Sequence, residues 1–284
     1  MKKILLPTDF SPNSLNAIHY AVDMFKGREC DFYILNVLKA STFISDDLMT
    51  MTPVESIYKS LIDASKKNIN NIISNIKAEN NDNQHEFHAI VDYDNFIDAI
   101  NQICESEDID LIIMGTKGAS GLDKVLFGSN TIRVIQRCST PVLAIPKNYK
   151  FNGLEQIVFT SNYLTLYNLN ELMQLLEISR LFNSKIQIIH LTGGNDLSHE
   201  QENNKAFLDA YFSNLKHEFI DLNSDKIFET VNTYISNNNI KLLAMMSRKH
   251  SFFERLFVTH NVETFTFKIQ VPLLVMENSE KLYK

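Results

Sequence analysis

The sequence predicts an α/β protein made of two tandem, open, doubly wound parallel sheets, the second copy shortened. Three observations carry that expectation. Short, near-continuous apolar runs alternate with longer segments of helical apolar spacing, as in parallel strands buried on both faces and joined by crossover helices. The pattern is written twice: KKILLPTDF at the start returns as EQIVFTSNY, setting Ile4 against Ile157 and Asp9 against Asn162 at an offset of 153. At 284 residues the chain is long enough for two domains of ordinary size.

The first copy begins with an apolar strand at Ile4–Pro7, followed by a helix over Ser14–Phe25. A second strand follows at Phe32–Val37, and a long amphipathic helix over Ile57–Ile76. Strands at Phe87–Val91, Leu111–Met114 and Val142–Ile145 alternate with helices at Phe96–Cys104 and Ser129–Arg137, and Ser129 suits the N-cap of the last helix. DFYILNV (31–37) pairs with KIQIIHL (185–191) at offset 154, and DLIIMGTKG (110–118) with KLLAMMSRK (241–249) at offset 131. That last offset runs without a gap to Pro141 and Pro272. The fall from 154 to 131 removes about 23 residues from the second copy, opposite the region 39–60. The expected division is 1–146, a polar linker at 147–153, and 154–284.

Composition narrows the function classes. A hydrophobic fraction of 44% with 21% charged residues describes a water-soluble globular chain. A net charge of −7 disfavours a nucleic-acid backbone as partner, because counterion release needs clustered Lys and Arg. No apolar run approaches the roughly 18 residues of a membrane span, and in MKKILL the apolar stretch is cut short by Pro7 and Asp9. Cys30, Cys104 and Cys138 are isolated and odd in number, which reads as buried thiols in a cytoplasmic protein. His85 and His88 stand three apart in an extended segment and point to opposite faces, a poor metal pair. Walker A, GxGxxG and GxSxG strings are absent.

The chemistry concentrates in LIIMGTKGASGLDKVLFGS, residues 111–129. A strand ending in glycines and re-entering a helix through Gly-Ser offers bare backbone N–H groups and the positive end of a helix dipole to an anion. Gly115 and Gly118 allow close backbone approach, Gly128 removes a side chain, and Lys117, Ser129 and Thr131 add donors. A plainer reading makes the glycines turn residues and leaves Asp9, Ser11 and Pro12 to cap the first helix.

The spacing G-x2-G-x9-G-[ST] resembles the nucleotide-binding signature of the universal stress protein family. KKILLPTDFSPNS resembles that family's first strand and turn, and RCSTPVLAIP its last strand, so the resemblance runs from residue 2 to about 146. It implies ATP or a related adenine nucleotide, with or without Mg2+, as the ligand. It places the acid after the first strand, Asp9, and the residue ending the second, Val37, toward the adenosine, and the glycine loop and helix turn toward the phosphates. By matching position it also implicates Met114, Gly115, Lys117, Gly118, Gly128, Ser129 and Thr131. Pro7, Thr8 and Asn130 border those positions. The second copy replaces Gly115 by Met246, Gly118 by Lys249, Gly128 by Thr259, Ser129 by His260 and Asp9 by Asn162, so the signature is lost there.

No base or metal cluster for turnover is evident, Asp123 and Lys124 being the nearest candidates, so slow hydrolysis is the most that is expected. A nucleotide-free dimerising scaffold is the other alternative. Family members commonly dimerise through the last strand, which implies an intrachain pseudo-dimer through Pro141–Ile145 and Pro272–Met276, with a homodimer as a further arrangement.

Overall fold

The computed structural model describes residues 1–38, 54–80, 83–93, 95–116, 127–192, 196–224, 227–247 and 270–277. The first half runs β1 (Lys2–Pro7), α1 (Pro12–Met24), β2 (Cys30–Val37), α2 (Val54–Glu79), β3 (His85–Asp92), α3 (Phe96–Ser106), β4 (Leu111–Gly115), α4 (Ser129–Arg137) and β5 (Val142–Ile145). The second runs β6 (Gln156–Thr160), α5 (Leu169–Phe182), β7 (Lys185–Thr192), α6 (His199–Phe212), β8 (Lys216–Asn223), α7 (Ile227–Asn237), β9 (Leu242–Ser247) and β10 (Leu273–Glu277). The strand order is β3-β2-β1-β4-β5-β10-β9-β6-β7-β8, one continuous sheet. All neighbouring strands are parallel except β5 and β10, which join the halves antiparallel.

That junction carries a local twofold. Ala144 faces Leu273, Leu143 faces Leu274 and Val142 faces Val275. Leu143 and Leu274 are also partners at the sequence offset of 131, so the pseudo-axis passes between them. Each last strand covers the other's edge, removing an exposed apolar template for aggregation.

The offsets recur as hydrogen bonds. Asp110 donates its N–H to the Lys3 carbonyl, and Lys241 does the same to Gln156, both at 2.9 Å. Ile112 donates to Pro141 at 2.9 Å and Leu243 to Pro272 at 3.0 Å. The deletion in the second half is visible as a shorter helix, 14 residues in α6 against 26 in α2, and a shorter connection leading into it.

Alternation along the strands sends side chains to two apolar layers, one on each face, and both run through the two halves. The first holds α1, α2, α5 and α6, with Ile18, Ile69, Leu175 and Phe212 among its buried side chains. The second holds α3, α4 and α7 through Ile100, Val134 and Val231. Residues 147–153 carry more than polar linker chemistry. Phe151 meets the rings of Tyr20 at 5.4 Å and Phe182 at 5.5 Å, and Asn16 donates to the Tyr149 carbonyl at 3.1 Å. The connection is thereby packed between α1 and α5.

Candidate functional site

The strand order of the first half reverses between β1 and β4, which places a crevice at their carboxyl ends. The turn leaving β1 is built by its own side chains. Thr8 N–H donates to the Leu35 carbonyl at 2.8 Å, and Asn36 donates its amide to the Thr8 carbonyl at 2.7 Å, so the ends of β1 and β2 are tied. Thr8 Oγ1 accepts from Phe10 N–H at 3.0 Å, and Asp9 Oδ1 from Ser11 N–H at 3.1 Å. Phe10 takes the left-handed region at φ 60°, costly for an aromatic residue and held by those two bonds.

Ser11, not Asp9, caps α1, with Pro12 following at the first helical positions. Asp9 itself is exposed at the mouth of the crevice. Pro7 closes β1, and Val37 closes β2 half-buried.

At β4 the backbone approaches α1 closely. A Cβ placed on Gly115 would lie 2.5 Å from Asn13 Nδ2 and 2.9 Å from the Asn13 carbonyl oxygen. The glycine is therefore demanded by the first turn of α1, and the space expected for ribose at this atom is filled by Asn13. Met114 turns the other way, 6% exposed within the α3–α4 layer. Gly128 N–H donates to the Thr116 carbonyl at 2.6 Å, tying the residue before α4 to the end of β4. Thr131 is 2% exposed and its hydroxyl donates to the Gly115 carbonyl at 3.0 Å, so its proton ties α4 to β4.

The start of α4 differs from the sequence reading. Its N-cap is Gly128, and Ser129 is the first helical residue; no side chain caps the turn. By contrast Ser11, Asn95, Asn168 and Ser198 cap α1, α3, α5 and α6 with side-chain oxygens. The first amides of a helix lack intrahelical acceptors, and at α4 no side chain among the described residues caps them. Ser129 and Asn130 are exposed beside them. Lys117, Gly118, Asp123 and Lys124 lie outside the described residues, as do Lys249, Thr259 and His260 of the second half.

A model of the universal stress protein family matches residues 1–146. The chain belongs to that family. Universal stress protein MJ0531 of Methanocaldococcus jannaschii is 29% identical over 149 residues, covering 52% of this chain and 84% of its own. MJ0577 of the same organism, also a universal stress protein, is 30% identical over 155 residues, 51% of this chain and 95% of its own. The crystal structure of a universal stress protein from Archaeoglobus fulgidus matches along the whole length, with a TM-score of 0.69 at 16% identity, covering 98% of this chain and 97% of that one. The joined, two-half fold is therefore shared with another solved universal stress protein.

Within the universal stress protein frame, the second half keeps the turn and differs at the candidate site. Ser161 N–H donates to Ile189, Ser161 Oγ accepts from Tyr163 N–H, and Asn162 Oδ1 accepts from Leu164 N–H, the same bonds as after β1. Tyr163 repeats the left-handed φ at 55°. Met246 is 2% exposed and fills the level where β4 carries Gly115. Sequence reasoning missed Asn13 and Asn36. Their positions along α1 and β2 signal nothing locally; only the folded crevice brings them to Gly115 and Thr8.

Proposed function

We propose that the first half binds one adenine nucleotide, ATP or a close relative, in the crevice at the carboxyl ends of β1, β2 and β4, and that the chain acts as a nucleotide-dependent regulatory module of the stress response. The observation that carries this reading is the first turn of α4, which has Gly128 in place of a capping side chain and follows the glycine signature. Uncapped amides at a helix start hold phosphate oxygens well. Asp9, at the opposite lip, offers a carboxylate to ribose hydroxyls, and Val37 offers main-chain groups to an adenine edge. Pro7, Thr8, Met114, Gly115 and Asn130 shape the floor and rim, and Lys117, Gly118 and Ser129 supply the phosphate side. Mg2+ enters this reading only as the companion of ATP's phosphates.

The proposed division into 1–146, 147–153 and 154–284 makes the second unit a partner in architecture rather than in binding. β5 and β10 each have a neighbour on both sides, so a homodimer would form through other surfaces than the last strands. Calorimetry with ATP on the full chain is expected to give one site per chain, and mass spectrometry of freshly purified, denatured protein should release an adenine nucleotide. Absence of both would favour the nucleotide-free scaffold; multiple turnovers of ATP would favour the hydrolase.

A further inference from the structure

At the opposite ends of the strands from the crevice, the sheet brings together three ligating side chains that the nucleotide reading leaves unused. Asp31 and Glu86 are direct partners across β2 and β3, and His88 lies two residues further along β3, on the same face. One oxygen or nitrogen from each lies within 4.8 Å of the other two. Asp31 is 5% exposed, and its Oδ1 is buried without a hydrogen-bond partner. His88 Nε2 is also buried without one. A buried, unmatched carboxylate oxygen beside an unmatched imidazole nitrogen is costly unless a cation or donor joins them.

Nothing described in the protein supplies that cation. Lys3 is Asp31's register partner on β1, but its ammonium donates to the Glu107 carbonyl at 2.8 Å. Lys2 pairs with Asp110 and Glu177. The second half shows how the same ladder positions are balanced internally. There Lys185 is paired with Gln156 and Lys216, as Asp31 is with Lys3 and Glu86, and Glu218 stands where His88 does. Lys185 Nζ meets Glu218 Oε2 at 2.7 Å, an ammonium built into the site. The first half carries two carboxylates and a histidine instead.

We propose that Asp31, Glu86 and His88 bind a late first-row divalent cation, of which zinc is the type, clamping the edge strand β3 to β2. One imidazole with two carboxylates suits such an ion better than Mg2+ or Ca2+, which favour oxygen-only sets. The two carboxylate charges match its charge. Zinc bonds of about 2.0–2.2 Å set tetrahedral ligand atoms roughly 3.4 Å apart, so the cluster must tighten. Glu86 is exposed and has the rotamer freedom to do so. His88 is held for the purpose by Tyr33, whose ring stacks on it at 4.5 Å and 23°. β3 is a sheet edge, so the site opens to solvent.

The test titrates ZnCl2 into the full chain without nucleotide, by calorimetry, and follows the thermal midpoint. One equivalent is expected, with a rise in midpoint. His88→Ala should weaken binding at least tenfold and remove that rise, while His217→Ala, which touches a different surface His–Asp pair, should change neither. Should His88→Ala fold poorly, Asp31→Lys with His88→Glu installs the second half's ion pair and should keep the fold while losing zinc. Zinc binding that is absent in the wild type, or unchanged in a folded His88→Ala or double variant, would overturn the proposal.

Discussion

The turns after β1 and β6 make the same hydrogen bonds, yet the strand ends beside them differ. Thr8, Asp9 and Phe10 are matched bond for bond by Ser161, Asn162 and Tyr163, including the left-handed φ of the aromatic residue. The fold requires that turn, and an asparagine makes it as well as an aspartate. The negative charge of Asp9 is the part the turn leaves unexplained. At the ends of β4 and β9 the difference is volume. Gly115 lies against Asn13 in the first turn of α1, whereas Leu166, at the matching offset of 153, precedes α5 and is 49% exposed. With the helix starting later, Met246 has a place in the core. The two halves thus separate what the scaffold needs from what the first half alone retains.

The largest effect tests the junction. Leu143 and Leu274 face each other across β5 and β10, both 0% exposed and in the same apolar layer. Leu143→Ala and Leu274→Ala should each destabilise by about 2–5 kcal/mol, and by similar amounts, because the pseudo-axis makes their surroundings alike. The double variant should cost less than the sum by about 0.5–3 kcal/mol, since one void is shared. Denaturant unfolding measures all three; strongly unequal single costs would break the symmetry argued from the register.

Next comes the strand end. Gly115→Ala should cost about 1–3 kcal/mol through overpacking, and Asn13→Ala should relieve only part of it, because the Asn13 backbone oxygen also lies in the way. Gly115→Met is expected to lose fold stability as well as the proposed binding, so it cannot report on the pocket alone. An unchanged melting curve for Gly115→Ala would show that α1 can shift aside.

Asp9→Asn isolates charge. The Asn162 geometry predicts that the turn survives, with stability changed by less than about 0.5 kcal/mol. Loss of a charged acceptor worth about 1.5–3 kcal/mol should weaken the proposed nucleotide binding at least tenfold. Equal affinity would remove Asp9 from the site.

Much of the fold was legible because it is periodic and repeated. The offsets of 153 and 131 connect residues whose backbone bonds are the same, and Pro141 and Pro272 mark strands that pair. The turn after β1 was legible as a capping segment, with Ser11 taking the cap. What escaped were contacts between residues remote in sequence. Nothing in GTKG announces that Asn13 will rest on its first glycine. The choice of Gly128 over Ser129 as N-cap is a matter of one backbone dihedral, below the resolution of residue preference. The histidine spacing within β3 set His85 and His88 on opposite faces: His85 Nε2 meets the Phe25 carbonyl at 3.0 Å, while His88 stacks on Tyr33 of the other apolar layer. But a ligand set drawn from two strands has no spacing in one of them, so Asp31 became its neighbour only through register.

The smallest effect uses the thiols, all of which lie in the first half. Cys30 is buried and its thiol is pushed up to about 12, chiefly by burial and then by the nearby Asp31 and Asp110 charges. Burial raises Cys104 as well, and Cys138 is 2% exposed. Only the thiolate attacks a disulfide reagent, so labelling of Cys30 at pH 8 should wait on opening of the first half. The linkage has a definite sign. The unfolded thiol ionises from about pH 8.5 while the native one stays protonated, so this contribution to stability is present below that pH and declines as pH rises toward 12. If nucleotide sits between β1 and α4, openings that destroy the crevice should be suppressed in proportion to occupancy, roughly tenfold at ten times the dissociation constant. Ser179, 0% exposed on α5, provides the counterpart, and in Ser179→Cys the new thiol should label at a rate the nucleotide leaves nearly unchanged. Equal protection in both halves would mean that they open as one unit, and that the proposed asymmetry in ligand binding is not matched by an asymmetry in motion.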